Sequence, residues 1–332
     1  MTGKIIIPDN AEIQTILGRI PADTLGVADM HTHLSRTAGP LVDSDVEFLL
    51  NSPNKAEAEM KLYRDAGGSA VVEVTPCGPG RDPAGLAEIS SVSGIHVVAT
   101  TGFVDWALYP GGRAWLDTAT IDELTTLIIA ETMEGMDLNN YAAPQIRRSL
   151  HRAGVIKVSS GYMIITPLQK KILEASAYAH LQTGIPITVH TEKGTAGLEL
   201  IDILTRLNVD PEAIMLAHTF LNPDPFYQRD LADTGVYLIQ DGPGRVKYFP
   251  ESNTIDQILR FLSDGFGDQL LFAGDHSKRS YWKTWGGGMG FDYILNTFVP
   301  RLHRLGVAEE DTHAMLVANA ARALRIRDPA RR

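Results

Sequence analysis

The chain has 332 residues, which is long for one average domain, although (β/α) barrels often exceed about 250 residues as single units. Hydrophobic residues make up 44% and charged residues 21%, and the mean hydropathy is -0.05. These values are typical of globular proteins and exclude a disordered chain or a collagen-like repeat. With 30 Lys and Arg against 40 Asp and Glu, the net charge of -10 argues against broad electrostatic binding of nucleic acid or an anionic membrane.

Cysteine content and apolar runs indicate the compartment. The single cysteine, Cys77, cannot form a disulfide within the chain. The first residues contain only the apolar run 5–7 before Pro8, which is too short for the core of a signal peptide. No stretch approaches the ~18 consecutive apolar residues of a membrane span. We therefore expect a soluble cytoplasmic protein whose partner is a small molecule, with no nucleic acid or membrane.

Short β-branched runs alternate with longer segments of helical periodicity. Eight runs are predicted strands: Val27–Met30, Ala70–Val74, His96–Thr100, Val155–Val158, Ile187–Val189, Met215–Ala217, Tyr237–Ile239 and Leu270–Ala273. Eight strand-helix units predict an α/β fold, a (β/α)8 TIM barrel. No linker rich in Pro, Gly and Ser divides the chain, so we expect residues 1–332 to form one domain. Residues 1–25 are predicted to be a strand-turn-strand extension that plugs the barrel bottom, with Pro21, Ala22 and Asp23 as its turn.

Side chains that could bind a metal lie at the ends of five predicted strands. They are His31 and His33 after the first strand, Lys157 at the end of the fourth, and His190, His218 and Asp275 after the fifth, sixth and eighth. In a (β/α)8 barrel these ends meet at the C-terminal face, where function is found. Each group alone is compatible with a satisfied polar residue at the core edge. Desolvating all of them without a shared purpose would cost several kcal/mol, so together they predict a metal centre.

The residue types at these positions indicate the metal chemistry. Neutral imidazoles and carboxylates suit zinc and its borderline neighbours. Lys157 differs, because an ammonium group is repelled by a dication. A buried lysine with a lowered pKa can instead add carbon dioxide and become a carbamate, an anion whose two oxygens can bridge two metals. A surface ion pair is the alternative for Lys157, but the apolar residues around it, 155–158, favour the carbamate.

The chain resembles the phosphotriesterase family of the amidohydrolase superfamily over essentially its whole length, from residues 13–18 and 23–26 to residues 319–322. The resemblance implies two divalent ions, with zinc favoured and manganese or cobalt possible, and a homo-oligomer. It implies His31, His33 and Asp275 as ligands of a more buried metal, His190 and His218 as ligands of a more exposed one, and carboxylated Lys157 as the bridge. Many relatives have Glu between the first two histidines, where this chain has Thr32.

The same resemblance implies a hydrolase in which Asp275 and Lys157 are catalytic. Two metals ~3.5–4 Å apart lower the pKa of a bridging water and polarise the carbonyl or phosphoryl oxygen of the substrate. Asp275 would then be both a metal ligand and the group that moves a proton from the bridging hydroxide to the leaving group.

Cations concentrate in the loops after the seventh and eighth strands, where barrels frequently bind phosphate. The candidate substrate contacts are Lys247, Lys278, Arg279 and Tyr281 in these loops and Tyr109 in the long loop after the third strand. Lys247, a cation at 278 or 279, Tyr281 and the glycine-rich segment 286–291 are similar to the family branch that opens sugar-lactone phosphates, in which Lys, Arg and Tyr bind the 5-phosphate. This chain departs from the pattern of that branch at two positions. Lys278 occupies the position of that Arg, and Thr219 follows His218 where the branch usually has a basic residue.

These observations favour a lactonase that opens a phosphorylated sugar lactone by attack of a metal-bound hydroxide on the carbonyl. A carboxylesterase, a homoserine-lactone-type lactonase or a phosphotriesterase would use the same metals, but would need an apolar pocket in place of the cations. A solvated rim is the alternative reading of those cations. A metal-binding protein without turnover is the remaining alternative, and the presence of both Lys157 and Asp275 counts against it.

Overall fold

The computed structural model describes Pro8 and residues 10–104 and 114–328. Within these residues ten strands form two sheets. The strands are β1 (Glu12–Thr15), β2 (Gly18–Pro21), β3 (Ala28–Thr32), β4 (Ala70–Glu73), β5 (His96–Thr101), β6 (Val155–Ser159), β7 (Ile187–His190), β8 (Ile214–Ala217), β9 (Tyr237–Gln240) and β10 (Leu270–Phe272). β3 to β10 are the eight predicted strands, and the predicted α/β barrel is confirmed.

β3 to β10 lie side by side in sequence order, and each strand is parallel to the next. The first and last strands are joined by hydrogen bonds from the residues that follow β10. The N–H of Asp275 donates to the carbonyl of His31 at 2.9 Å, and the N–H of Gly274 donates to the carboxylate of Asp29 at 3.1 Å. We call this junction the β3–β10 seam. It brings the C-terminal ends of β3 and β10 together.

The barrel strands are buried on both faces, as expected for parallel strands covered by helices. Alternate residues therefore enter different clusters. On β4, Val72 packs inside the barrel with Met30, Val98 and Leu271, whereas Val71 packs outward with residues of the helices. This alternation fixes which strand residues reach the interior, and so which side chains can face the mouth of the barrel.

Helices connect the strands on the outside of the barrel. They are α1 (Pro40–Ser44), α2 (Pro53–Asp65), α3 (Pro83–Ser93), α4 (Ala114–Thr118), α5 (Ile121–Met133), α6 (Pro167–Thr183), α7 (Gly197–Arg206), α8 (Pro225–Asp233), α9 (Glu251–Ser263), α10 (Val299–Arg304), α11 (Glu309–His313) and α12 (Asn319–Leu324). α6 begins at a capping box formed by Thr166 and Gln169 and is followed by Gly184, whose φ of 73° gives a left-handed C-cap. No helix within the described segments is long and apolar enough to cross a membrane.

β1 and β2 form an antiparallel hairpin before the barrel. The predicted turn was misplaced: the chain reverses at Ile16 and Leu17, with Gly18 at φ 134°, whereas residues 22–24 form a 3-10 helix after the hairpin. Proline-containing turn sequences also begin short helices, because proline fixes φ near its helical value. Ile13, like Ala22 and Leu25 that follow the hairpin, packs against the cluster inside the barrel.

Candidate metal centre

The ends of β3 and β10 bring three potential metal ligands together. Atoms of His31, His33 and Asp275 that can bind a metal lie within 4.8 Å of one another, and all three residues are buried. Nε2 of His33 is 3.9 Å from Oδ1 of Asp275. The register of β3 against β4 shifts between Asp29 and Thr32, at the point where the histidines occur. The seam and this irregularity together position the three side chains.

Three further predicted ligands surround this group. The rings of His190 and His218 have their centroids 4.4 Å apart, and that of His218 is 4.9 Å from that of His31. Nζ of Lys157 lies 3.5 Å from Nε2 of His31. The structure therefore brings all six predicted ligand residues to one mouth. His218 and Asp275 have left-handed backbone conformations, with φ of 65° and 43°, which cost about 1–2 kcal/mol in residues other than glycine.

Burial sets the protonation states of these side chains. Burial lowers the pKa of both His31 and His33 well below the ordinary value, and neighbouring cations lower it further. Burial, with the charge of His218, lowers the pKa of His190 to about 4. Burial also lowers the pKa of Lys157 to about 7. At neutral pH the imidazoles of His31, His33 and His190 are therefore uncharged and can donate a lone pair to a metal, and a substantial fraction of Lys157 is the neutral amine.

Carboxylates hold the two outer histidines in opposite orientations. Nδ1 of His218 lies 2.6 Å from Oδ2 of Asp241, and Nε2 of His190 lies 3.0 Å from Oε2 of Glu192. A neutral ring that donates its N–H to a carboxylate keeps its lone pair on the other nitrogen. His218 therefore presents Nε2 to the mouth of the barrel as its ligand atom, and His190 presents Nδ1.

A chain of buried groups orients His33. Its Nδ1 is 2.8 Å from the hydroxyl of Thr75, which itself donates to Oε1 of Glu73 at 2.6 Å. Nδ1 of His33 is thus held on the side away from the mouth, whereas Nε2 faces Asp275 and is the ring atom available to a metal. Nη2 of Arg36 stands 2.9 Å from the same Nδ1 and disfavours a second proton on the ring. Burial raises the pKa of Glu73 to about 7.

Arg245 is the cation nearest to Asp275. Its Nη1 forms an ion pair with Oδ2 of Asp275 and also donates to the carbonyl of that residue at 2.7 Å. Burial acts to raise the pKa of the Asp275 carboxyl, but the charge of Arg245 holds it below the ordinary value. Asp275 is therefore ionised at neutral pH, as a metal ligand must be.

The residues present fit a metal. Neutral imidazoles and an ionised carboxylate are the nitrogen and oxygen donors that zinc takes in proteins. The buried Nδ1 of His31 has no hydrogen-bond partner among the described residues, an arrangement that is uncommon in a settled protein core. We conclude that this cluster is a candidate metal centre.

Two connected cavities open from the centre. The larger has a volume of about 490 Å³, and its lining includes apolar residues, namely Leu41, Phe48, Val74, Pro76, Pro79, Val104 and Tyr162. The smaller has a volume of about 170 Å³ and is lined by the cations Lys193, Arg245, Lys247 and Lys278 with Tyr248. His190, His218 and Asp275 line both cavities. We call the smaller one the cationic cavity.

The predicted substrate contacts occupy different places. Lys247 lies in the cationic cavity, with Nζ 5.5 Å from the ring centroid of Tyr281. Lys278 lines the same cavity, but its Nζ is 2.6 Å from a carboxylate oxygen of Asp45. Arg279 donates to the carbonyl of Leu49 at 2.6 Å and stacks on Trp285, so its guanidinium serves the attachment of the loop. Tyr109 lies outside the described residues.

Sequence reasoning did not assign roles to the residues that hold the ligands. Asp241 directly follows β9, so the rule that selected the metal ligands would also have found it. Glu192 is two residues after His190, which in an extended chain places both side chains on one side. Glu73 is the last residue of β4, so the same rule would have found it, whereas Thr75 meets His33 only through the pairing of β3 with β4.

The chain is similar to known proteins over nearly its whole length. The model of the phosphotriesterase family matches residues 11–324. A phospho-furanose lactonase of Mycoplasmopsis synoviae is 34% identical over 325 residues, covering 95% of this chain and 92% of that protein. The crystal structure of an amidohydrolase from Mycoplasma synoviae is similar with a TM-score of 0.93 and 34% identity, covering 97% of this chain and 95% of the other. A lactonase from Listeria monocytogenes is similar with a TM-score of 0.89 and 32% identity, over 96% and 100%.

The fold and the site define a metal-dependent hydrolase built on a (β/α)8 barrel. The chain belongs to the phosphotriesterase family, as its sequence motifs predicted.

Proposed function

We propose that the protein is a lactonase that opens the ring ester of a phosphorylated sugar. The observation that carries this proposal is the cationic cavity, which shares His190, His218 and Asp275 with the metal centre. A substrate whose ester carbonyl lies at the metal centre would thus place a nearby phosphate among lysines. Relatives named as phospho-furanose lactonases, at 34% identity, support the same substrate class.

We propose that the site holds two divalent ions, zinc in preference to manganese or cobalt. His31, His33 and Asp275 would hold one ion, and His190 and His218 the other. Two bound ions would polarise the substrate carbonyl and supply a hydroxide nucleophile at neutral pH.

Lys157 is proposed to bridge the ions as a carbamate. Burial lowers its pKa to about 7, so the free amine is available near neutral pH. The lone pair of Nζ attacks carbon dioxide, a C–N bond forms as one C=O π bond opens and leaves its electron pair on oxygen, and Nζ loses one proton to solvent. The product is a carbamate anion that replaces a cation next to His31.

Asp275 is proposed to move the proton in the reaction. Its carboxylate is ionised and lies beside the ligand histidines, so it can take the proton of the attacking water on an Oδ atom. It can then return that proton to the ring oxygen as the ester C–O bond breaks. Arg245 holds the carboxylate in place for both transfers.

The substrate is tested by hydrolysis of paired compounds. Purified protein loaded with zinc would be assayed with furanose lactones that carry or lack a 5-phosphate, by following the release of acid. We expect the phosphorylated lactone to have the higher kcat/KM. Equal or higher kcat/KM for the unphosphorylated lactone would refute a phosphate-directed lactonase.

The larger cavity favours a second candidate. Its lining includes the apolar residues Leu41, Phe48 and Pro79, which suit an ester or a lactone with a hydrocarbon substituent. Aryl esters, acyl homoserine lactones and a phosphotriester belong in the same assay, because a kcat/KM above that of the phosphorylated sugar lactone would select this candidate.

A further inference from the structure

Three cations surround one aromatic ring in the cationic cavity. Nζ of Lys247 lies 4.7 Å from the ring centroid of Tyr248, Nζ of Lys193 lies 5.5 Å from it, and Cζ of Arg245 lies 5.4 Å from it. The face of an aromatic ring attracts a cation, but it does not neutralise three of them. The arrangement therefore concentrates positive charge in an acidic protein.

Only part of this charge is compensated. Arg245 is paired with Asp275. Lys247 has no carboxylate within 4.0 Å in the parts of the chain that the structure describes. Nζ of Lys193 is 3.9 Å from Oε1 of Glu192, but Glu192 also holds His190 at 3.0 Å and is shared between the two. Lys193 and Lys247 thus leave a net positive charge that an anion would satisfy.

The backbone fixes Lys193 relative to the metal centre. Lys193 is three residues after His190, in a 3-10 turn with φ of 54°. The next residue, Gly194, has φ of 69° and packs so closely that a Cβ there would be 2.9 Å from the backbone nitrogen of Asn222. This packed turn fixes the backbone of Lys193 three residues from the ligand His190.

The loop after β10 offers less to an anion than its sequence suggests. Lys278 is paired with Asp45 at 2.6 Å, which cancels much of its charge. Arg279 is occupied by Leu49 and Asn51. The position after β7 therefore presents a less compensated cation than positions 278 and 279.

We propose that Lys193 acts with Lys247 as the second cation that binds the substrate's phosphate. This inference rests on the proposed function and deepens it, because it assigns phosphate specificity to the turn after β7. The ligand is a phosphomonoester dianion, whose several oxygens can accept from both ammonium groups at once. Lys193 is then a residue that determines specificity and takes no part in the bond-breaking step.

The test compares Lys193→Met with two other single variants. Lys193→Arg keeps the charge, and Lys170→Met removes an exposed lysine on α6 that is paired with Glu199 outside both cavities. We expect Lys193→Met to lower kcat/KM for the phosphorylated lactone about tenfold and to leave kcat/KM for the unphosphorylated lactone unchanged. The metal content should equal that of the parent. Lys193→Arg should retain most of the preference, and Lys170→Met all of it.

The outcomes separate this inference from the proposed function. If the parent prefers the phosphorylated lactone and Lys193→Met has the same preference, Lys193 is not a phosphate contact, although the proposed function stands. If the parent shows no preference for phosphate, the proposed function fails, and calorimetry with ribose 5-phosphate and ribose decides about Lys193. Weaker binding of ribose 5-phosphate by Lys193→Met than by the parent supports the inference. Equal binding by the two proteins, or no binding by the parent, overturns it.

Discussion

Asp241 contacts His218 at two atoms of that residue. Its carboxylate lies 2.6 Å from Nδ1 of the ring and accepts the backbone N–H at 3.1 Å. His218 has a left-handed backbone conformation, and the carboxylate stabilises this conformation while it orients the ring. One buried side chain thus fixes both the position and the ligand atom of His218.

Asp241→Asn is expected to weaken the more exposed metal position. The amide keeps an oxygen for the backbone N–H, but it no longer has the charge that fixes the ring tautomer. Loss of such a partner typically costs about 10- to 100-fold in metal affinity or activity. Metal titration and kcat/KM measure the effect, and the far-ultraviolet circular dichroism should be unchanged. Metal affinity equal to that of the parent would show that Asp241 acts only on the backbone.

Lys157→Ala should lose metal and activity together, because the proposed carbamate bridge cannot form without the lysine. Short carboxylic acids should restore part of the activity by supplying a two-oxygen anion. Lys170→Ala is the control, since Lys170 is exposed on α6. Carbon-13 NMR after loading with labelled bicarbonate reports whether Lys157 is modified. An active, metal-loaded protein whose Lys157 is unmodified would contradict the carbamate bridge.

The pKa of Lys157 also predicts how formation of the proposed carbamate depends on pH. Burial lowers the pKa of Lys157 in the metal-free protein to about 7. Carbon dioxide adds to the neutral amine, whose fraction falls as the pH drops below 7. At a fixed concentration of dissolved, labelled carbon dioxide, incorporation of label into metal-free protein should therefore be slower at pH 6 than at pH 8. A rate independent of pH over this interval would mean that Lys157 is not the group modified.

Asp275→Asn should reduce turnover strongly, because an amide cannot take a proton from the attacking water. General acid-base catalysis is typically worth ~10²–10⁴-fold. The decisive measurement is kcat at full metal occupancy, since the variant is also a poorer ligand. A variant that retains both metals and turns over within a few-fold of the parent would remove Asp275 from the proton transfer.

The buried pair of Arg81 and Glu131 should control stability at some distance from the catalytic residues. Nη2 of Arg81 is 2.7 Å from Oε1 of Glu131, and both side chains are fully buried. Burial alone would raise the pKa of Glu131, but Arg81 lowers it to about 2. The pair therefore stabilises the protein above the ordinary carboxyl pKa, and this contribution is lost as the pH falls toward 2.

Arg81→Leu leaves the buried Glu131 with only Arg148, at 3.9 Å, as a cationic partner, which should cost about 3–5 kcal/mol in the free energy of unfolding at pH 7. The difference in the free energy of unfolding between variant and parent should narrow as the pH approaches 3, because Glu131 in the variant can take up a proton. Urea unfolding at both pH values measures this. Arg206→Leu, at an exposed pair on α7, is the matched control and should change little. If the variant lost the same free energy of unfolding at both pH values, the buried charge of Glu131 would not be the cause.

The fold and the convergence of the six candidate ligands were predictable because both depend on local sequence order. A buried parallel strand is an uninterrupted apolar run, and the residue that follows it lies at the C-terminal face whatever the rest of the chain does. His190 and His218 were therefore predicted from their places at the end of β7 and directly after β8.

The contacts of Arg279 and Thr75 could not be predicted in this way, because they join segments that are distant in sequence. Arg279 follows β10 with other cations, but the carbonyl of Leu49 takes up its guanidinium, and residues 230 positions apart leave no pattern in sequence. Thr75 reaches His33 by strand pairing alone. The hairpin turn was misplaced for a different reason, since Pro21 suits both a turn and the start of a 3-10 helix.

The β3–β10 seam makes completion of the barrel and completion of the metal site one event. Asp29 and Gly274 are 245 residues apart, yet their hydrogen bond sets His31 beside Asp275. During synthesis the histidines of β3 emerge early, and their carboxylate partner arrives only with the last strand. A nascent chain therefore holds an incomplete ligand set until the barrel can close, and metal acquisition belongs to the finished protein.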